Sequence, residues 1–173
     1  YASCHWCHVM AHESFEDKDT ATVMNEKFIN IKVDREERPD LDNVFQKSLA
    51  ILTGTPGGWP LSMFLDENGV PFTGGTYFPP KELYGRPSFV NTLKQVSDFY
   101  TKNKDKITQQ ASQIKDIFQK DQKKSSVISQ NLNPHLEAML NYVDFEWGGF
   151  QGSPKFPQFY VFESFLHFYK KNK

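Results

Sequence analysis

The spacing of apolar positions changes several times along the chain, and each change predicts an element. Residues 4–14 can be helical, with Cys4 near the first turn. Residues 18–26 read as a second short helix, on which Ala21, Met24 and the following Phe28 share a face. The period then shortens to two. In FINIKVD, residues 28–34, Ile29, Ile31 and Val33 alternate with Asn30, Lys32 and Asp34, which predicts a strand with one apolar face. The charged run REERPD follows, and Pro39 suits the first turn of a new helix over 40–52. There Leu41, Val44, Phe45, Ser48, Leu49 and Leu52 have helical spacing. Breakers at 54–58 end in Trp59-Pro60. Residues 61–65 predict a short strand, Asn68-Gly69 a turn, and residues 70–72 an antiparallel return that Pro71 confines to an edge or a bulge. Residues 74–80 read as loop. After Pro87 and Ser88 a long helical stripe runs through Phe89, Leu93, Val96, Tyr100, Ile107, Ala111, Ile114 and Phe118, with a break expected near Asn103.

Residues 119–130 have little to bury and form the best linker candidate. The division expected is a first domain over 1–121, a linker over 122–131 and a second domain starting at 132. In the last part Leu132, Leu136, Met139, Leu140 and Val143 make a helical stripe. Gly148, Gly149 and Gly152 lie in a loop ending at Pro154 and Pro157. Residues 159–169 are helical and apolar nearly all round.

Composition narrows the classes. The 173 residues suit one domain, or one plus part of another. Twenty Lys and Arg face 21 Asp and Glu, a net charge of -1, which gives no global pull toward nucleic acid or an anionic membrane. Between Lys102 and Lys124 seven Lys outweigh three Asp, with no aromatic interleaved on the basic side, and the run reads as a solvated helix face. No apolar stretch is long enough for a membrane span. The chain starts without Met, leader or signal-type segment and stops inside an apolar helical pattern, so both ends are expected to be cut.

The two cysteines, Cys4 and Cys7, are the main chemical signal. A disulfide between them closes only a tiny loop, which suits reversible chemistry or a metal better than stapling. At a helix start, unpaired amides and the dipole favour a thiolate at Cys4. Cys7, one turn on, can reach a mixed disulfide formed there. Cys4 is expected to be the exposed, attacking thiol and Cys7 the more buried, resolving one. His5, when protonated, adds a nearby cation. Three other readings stay open. C-x-x-C-H, ending at His8, is the attachment signature of c-type haem. Cys4, Cys7, His8 and His12 could hold structural zinc. The thiols could also be a passive buried pair.

The runs SCHWCHVMAHESFED (3–17), NIKVDREERPD (30–40), GGWPLSMFL (57–65), GGTYFPP (74–80) and GGFQGSPKFPQ (148–158) resemble the spermatogenesis-associated protein 20 and bacterial YyaL-like family. The resemblance implies an α/β, thioredoxin-like fold followed by an (α/α) toroid like those of N-acylglucosamine 2-epimerases and glycoside hydrolases. Cys4 and Cys7 then take the place of the thioredoxin redox pair, and Pro60 that of the cis-proline facing it. Trp59 would offer its backbone to a docked peptide or mixed disulfide. The thioredoxin-like fold would lack its N-terminal elements, including the strand that feeds the helix at Cys4. Residues 132–173 would be the opening helices of a truncated toroid.

The reading that follows is thiol-disulfide exchange. Cys4 and Cys7 are catalytic, His5, Trp6 and His8 modulating, and Trp59 and Pro60 dock the substrate. Asp34, Arg35, Glu36, Glu37 and Arg38 cluster at the end of the expected parallel strand, where ligands gather in open sheets. Arg35 or Arg38 could contact an acidic group there, although ion pairs at the surface or between domains are the plainer reading. Thr76 and Tyr77 line the cleft or pack against the second domain. No cofactor or resident metal is expected in this reading, nor a nucleic-acid or membrane partner. The partners expected are a thiol- or disulfide-bearing protein or small thiol and the missing toroid. The compartment expected is cytoplasmic. A non-catalytic interaction domain supporting the toroid is the alternative from another class.

Overall fold

A computed structural model describes residues 1–83, 85–123, 133–153, 155–156 and 158–171. The chain divides into two units, Tyr1–Lys123 and Lys124–Lys173. The first is helix-rich with one small sheet. Helix α1 (His5–Met10) starts on Cys4 as N-cap and runs into a five-residue π-helical turn, Ala11–Phe15. Asp17 then caps α2 (Lys18–Lys27), its carboxylate accepting the Thr20 amide at 2.8 Å and the Thr20 hydroxyl at 2.7 Å. Helix α3 (Pro39–Thr53) begins with proline and ends where Gly54 turns left-handed at φ 72°.

Strands β1 (Ser62–Leu65) and β2 (Pro71–Gly75) form an antiparallel hairpin. Asp66 shapes its turn: one carboxylate oxygen accepts the amides of Asn68 and Val70, and Gly69 takes φ 75°. The register slips between Phe64 and Leu65, opposite Pro71, so the proline sits at an irregularity as expected. Gly74 and Gly75 belong to the strand rather than to the following loop. A Cβ on Gly74 would meet the Ser62 carbonyl at 2.8 Å, and one on Gly75 the Phe78 ring at 2.6 Å. The close packing of this strand therefore needs glycine.

Helices α4 (Phe89–Lys102) and α5 (Lys104–Lys123) break at Asn103, whose side-chain amide bonds the Phe99 carbonyl at 3.0 Å. Their predicted stripe is the core. Phe89, Leu93 and Ile107 bury against Met10, Phe64 and Phe72, with Met24, Phe28, Val96 and Tyr100 packed around them. Ala111 and Ile114 bury Val70 beside Leu52 and Phe118. Each fully buried Val, Leu, Ile, Phe or Met among them contributes roughly 1.5–3 kcal/mol by leaving water.

Residues 28–34 are not a strand. They join no sheet among the described residues, leaving Ile29 93% and Ile31 78% exposed. Alternation selects an apolar face, whereas a strand also needs a hydrogen-bonding neighbour, and the hairpin does not supply one. The parallel strand expected here is therefore corrected. What the first unit contains is a helix-rich arrangement with a two-stranded antiparallel sheet, compatible with an α/β thioredoxin-like region.

In the second unit, α6 (Asn133–Leu140) and α7 (Phe159–Lys171) flank a loop held by Asp144. Its carboxylate accepts the Glu146 and Trp147 amides and pairs with Lys155 at 2.6 Å, which keeps it below the usual carboxylate range. Val161 is buried on α7, while Phe145, Trp147 and Phe159 are largely exposed. The linker expected over 122–131 lies outside the described residues from 124 on, as do Leu132, Pro154 and Pro157. Among the described residues no helix is long and apolar enough to cross a membrane.

Candidate functional site

Cys4 and Cys7 are joined by a disulfide, with Cα atoms 5.3 Å apart. The N-cap geometry brings them together. Cys4 is extended (φ -82°, ψ 99°), its carbonyl starts the helix by accepting the His8 amide at 3.2 Å, and its Sγ accepts the Cys7 amide at 3.2 Å. An N–H aimed at Sγ favours a thiolate there over a neutral thiol. The Cys4 amide is itself tied back to the Tyr1 carbonyl at 3.1 Å. The expected order of exposure is reversed. Cys4 is buried, at 5% exposure, and Cys7 is intermediate, because the N-cap side chain folds back over the first turn instead of pointing outward.

Two groups of side chains adjoin this turn in the chain, one through Trp6 and the other through Tyr1. In one, the Trp6 ring lies 5.3 Å from that of Tyr77, and the Tyr77 hydroxyl donates to the Glu13 carboxylate. His5 is exposed and meets Trp6 edge-on. Glu13 first of all, and partial burial after it, push the Tyr77 phenol up to about 12. The phenol keeps its proton in the fold at pH values where an unfolded chain releases it. Its contribution to stability is therefore complete below about pH 10 and lost as pH rises through about 12. Glu13→Gln is expected to bring the Tyr77 titration down toward 10.0, read by tyrosinate absorbance. An unmoved titration would contradict the Glu13 contact.

In the other group, the Arg35 guanidinium carbon sits 4.1 Å from the Trp59 ring centroid and 4.7 Å from that of Tyr1. Those rings meet edge-on at 5.9 Å. Helix α3 holds this cluster from behind. Asp42 accepts the Trp59 indole N–H at 2.7 Å, and Gln46, one turn later on the same face, donates to the Gly58 carbonyl at 3.2 Å. The Trp59-Pro60 bond that follows is cis. A Cβ on Gly57 would lie 2.2 Å from Gln46 Oε1, so a side chain there would displace the Gln46 amide. The Thr76 methyl lies across from Gly58.

The rest of the charged run does local work. Asp34 accepts the Glu36 amide at 2.8 Å, and its carbonyl accepts that of Arg38. Arg38 grips both oxygens of Asp40, at 2.9 and 2.7 Å, and holds that carboxyl down to about 2. His8 donates through Nε2 to the Ala2 carbonyl at 2.8 Å, and exposed His12 pairs with Glu16. The four residues of the zinc reading are therefore committed to other partners, and no group of three or more His, Cys, Asp or Glu is placed to share a metal ion among the described residues. A concavity of about 330 Å³ is lined by Val44, Val70, Pro71, Ile114 and Phe118 among others, none of them in the cysteine turn. Sequence reasoning missed Tyr1, Glu13, Asp42 and Gln46. Only the last two left a signal, polar residues four apart on one helix face.

The family described as Thioredox_DsbH, protein of unknown function, DUF255, matches residues 1–119. An uncharacterized protein of Caenorhabditis elegans is 39% identical over 163 residues, which cover 91% of this chain and 22% of that protein. Spermatogenesis-associated protein 20 of Homo sapiens is 35% identical over 165 residues, and that of Mus musculus 36% over 164, each covering 91% of this chain and 21% of the relative. The chain thus spans about a fifth of the length of the curated relatives it matches.

Proposed function

The chain belongs to the Thioredox_DsbH (DUF255) family, and on that premise we propose that it is a thioredoxin-like thiol-disulfide oxidoreductase. One observation carries the reading: the two sulfurs are bonded across the first turn of a helix whose Cys7 amide points at Cys4 Sγ. Starting from the reduced pair, the Cys4 thiolate attacks one sulfur of a substrate disulfide. A Cys4–substrate bond forms and the other substrate sulfur leaves as a thiolate that takes up a proton. Cys7 then loses its proton and attacks Cys4 Sγ, which releases the second substrate thiol. Two electrons pass from the pair to the substrate, and the Cys4–Cys7 disulfide remains.

Trp59 and Pro60 form the docking edge in this proposal. His5, Trp6 and His8 shape the turn around the sulfurs, and Thr76 and Tyr77 border it. Helices α6 and α7 are read as the opening of a toroid completed by residues outside this chain. The test is Cys7→Ser, incubated with a small disulfide. Attack without resolution should leave one substrate thiol attached to Cys4, visible as a mass adduct that the wild type does not accumulate. The second reading, a non-catalytic interaction domain, is favoured by the burial of Cys4. It predicts no adduct, and equal insulin reduction by the wild type and Cys4→Ser.

A further inference from the structure

We propose that Arg35 receives a carboxylate carried by the disulfide substrate, so that the exchange site prefers substrates with an acidic group a few bonds from the reacting sulfur. This rests on the exchange reading above and adds a substrate class to it. Arg35 is held against two aromatic rings, at 4.1 and 4.7 Å from their centroids. One ring is tied to the cysteine turn, and the other belongs to the docking edge of the proposed function. Tyr1 receives the Cys4 amide through its carbonyl, and Trp59 precedes Pro60.

Several neighbouring charges are already engaged, while Glu36 and Glu37 are exposed. Arg38 is taken by Asp40, Asp34 by the Glu36 amide and Asp42 by the Trp59 indole. Arg35 contacts ring faces only, and among the described residues no carboxylate or carbonyl accepts its N–H groups. A planar fork of donors, already ordered by two rings and still unspent, matches the geometry of a carboxylate. Ring contact also restrains the side chain in advance, so binding an anion has less side-chain freedom to remove.

The carboxylate could belong to a small thiol or to an acidic residue beside a protein cysteine, and the experiment has an arm for each. Pre-reduced protein is mixed in single turnover with dithiodipropionate or with neutral 2-hydroxyethyl disulfide. In a second arm it meets a disulfide-linked peptide carrying Glu, or Gln, next to the cysteine. In every case the two electrons come from the Cys4/Cys7 dithiol, which becomes the disulfide, and the substrate leaves as two thiols. The readout is the acidic-to-neutral rate ratio in the wild type and in Arg35→Gln.

The ratio is expected to fall about tenfold in Arg35→Gln in at least one arm, as a charge-assisted pair at a half-exposed site predicts. The arm that responds identifies the source. A neutral disulfide reduced by both proteins, with equal ratios in both arms, would overturn the role of Arg35 and leave exchange standing. A wild type inert toward every disulfide would overturn exchange and this proposal together. Because the neutral substrate is measured on the same sample, a folding defect in the variant slows both rates and does not imitate the expected change in ratio.

Discussion

Cys4→Ser is expected to reduce disulfide exchange to the rate of buffer alone, a loss of at least about a thousandfold, or about 4 kcal/mol of barrier. A serine hydroxyl at the same N-cap can still accept the Cys7 amide, so the helix start is preserved. What disappears is a sulfur able to attack another sulfur. The variant also lacks the disulfide, which spans a sequence separation of only 3. Closing so short a loop stabilises by about 2 kcal/mol in the chain-entropy account. Wild-type protein reduced with dithiothreitol should lose a similar amount. Urea unfolding of reduced wild type and Cys4→Ser should therefore nearly coincide, while their exchange rates differ by three orders of magnitude. Comparable rates from both proteins would remove Cys4 from the chemistry.

Met10→Ala is expected to lower stability by about 2–4 kcal/mol, seen as a fall in the urea midpoint without a change in slope. Met10 is fully buried and lies among Phe64, Phe72, Phe89, Leu93 and Ile107. It stands three residues after Cys7 and ties the cysteine helix to the centre of the first unit. Removing its side chain leaves a cavity that rigid aromatic neighbours fill poorly. For a domain whose total stability is commonly about 5–15 kcal/mol, that is a large share. An unchanged midpoint would mean that the helix is not anchored through Met10. Because α1 has no other buried residue besides this one, exchange activity should fall along with stability at temperatures near the midpoint.

Local signals were the legible ones. Cys4 at a helix start, Asn68-Gly69 in a hairpin turn, the break at Asn103 and the stripe from Phe89 to Phe118 each depend on residues a few positions apart. The alternation over 28–34 misled because pairing is a property of two segments, and one segment carries only half of it. The burial of Cys4 escaped for a related reason: exposure depends on how the N-cap side chain turns, which residue type does not fix. The meeting of Tyr1, Arg35 and Trp59 is set by the return of the chain after α3, and no periodicity announces it. Nor did anything mark Glu13 as the partner of Tyr77, 64 positions away.

The π-helical turn over Ala11–Phe15 sets the angular phase between the cysteines and all that follows. Such a turn is equivalent to an α-helix with one residue inserted, and each helical residue advances the screw by about 100°. Deleting one of these five residues would let the ladder revert to ordinary α-helix. The cysteine turn would then swing by about that angle relative to α2, and Trp6 would leave the ring of Tyr77. The cysteine site is thus more sensitive to how many residues occupy this turn than to which ones they are.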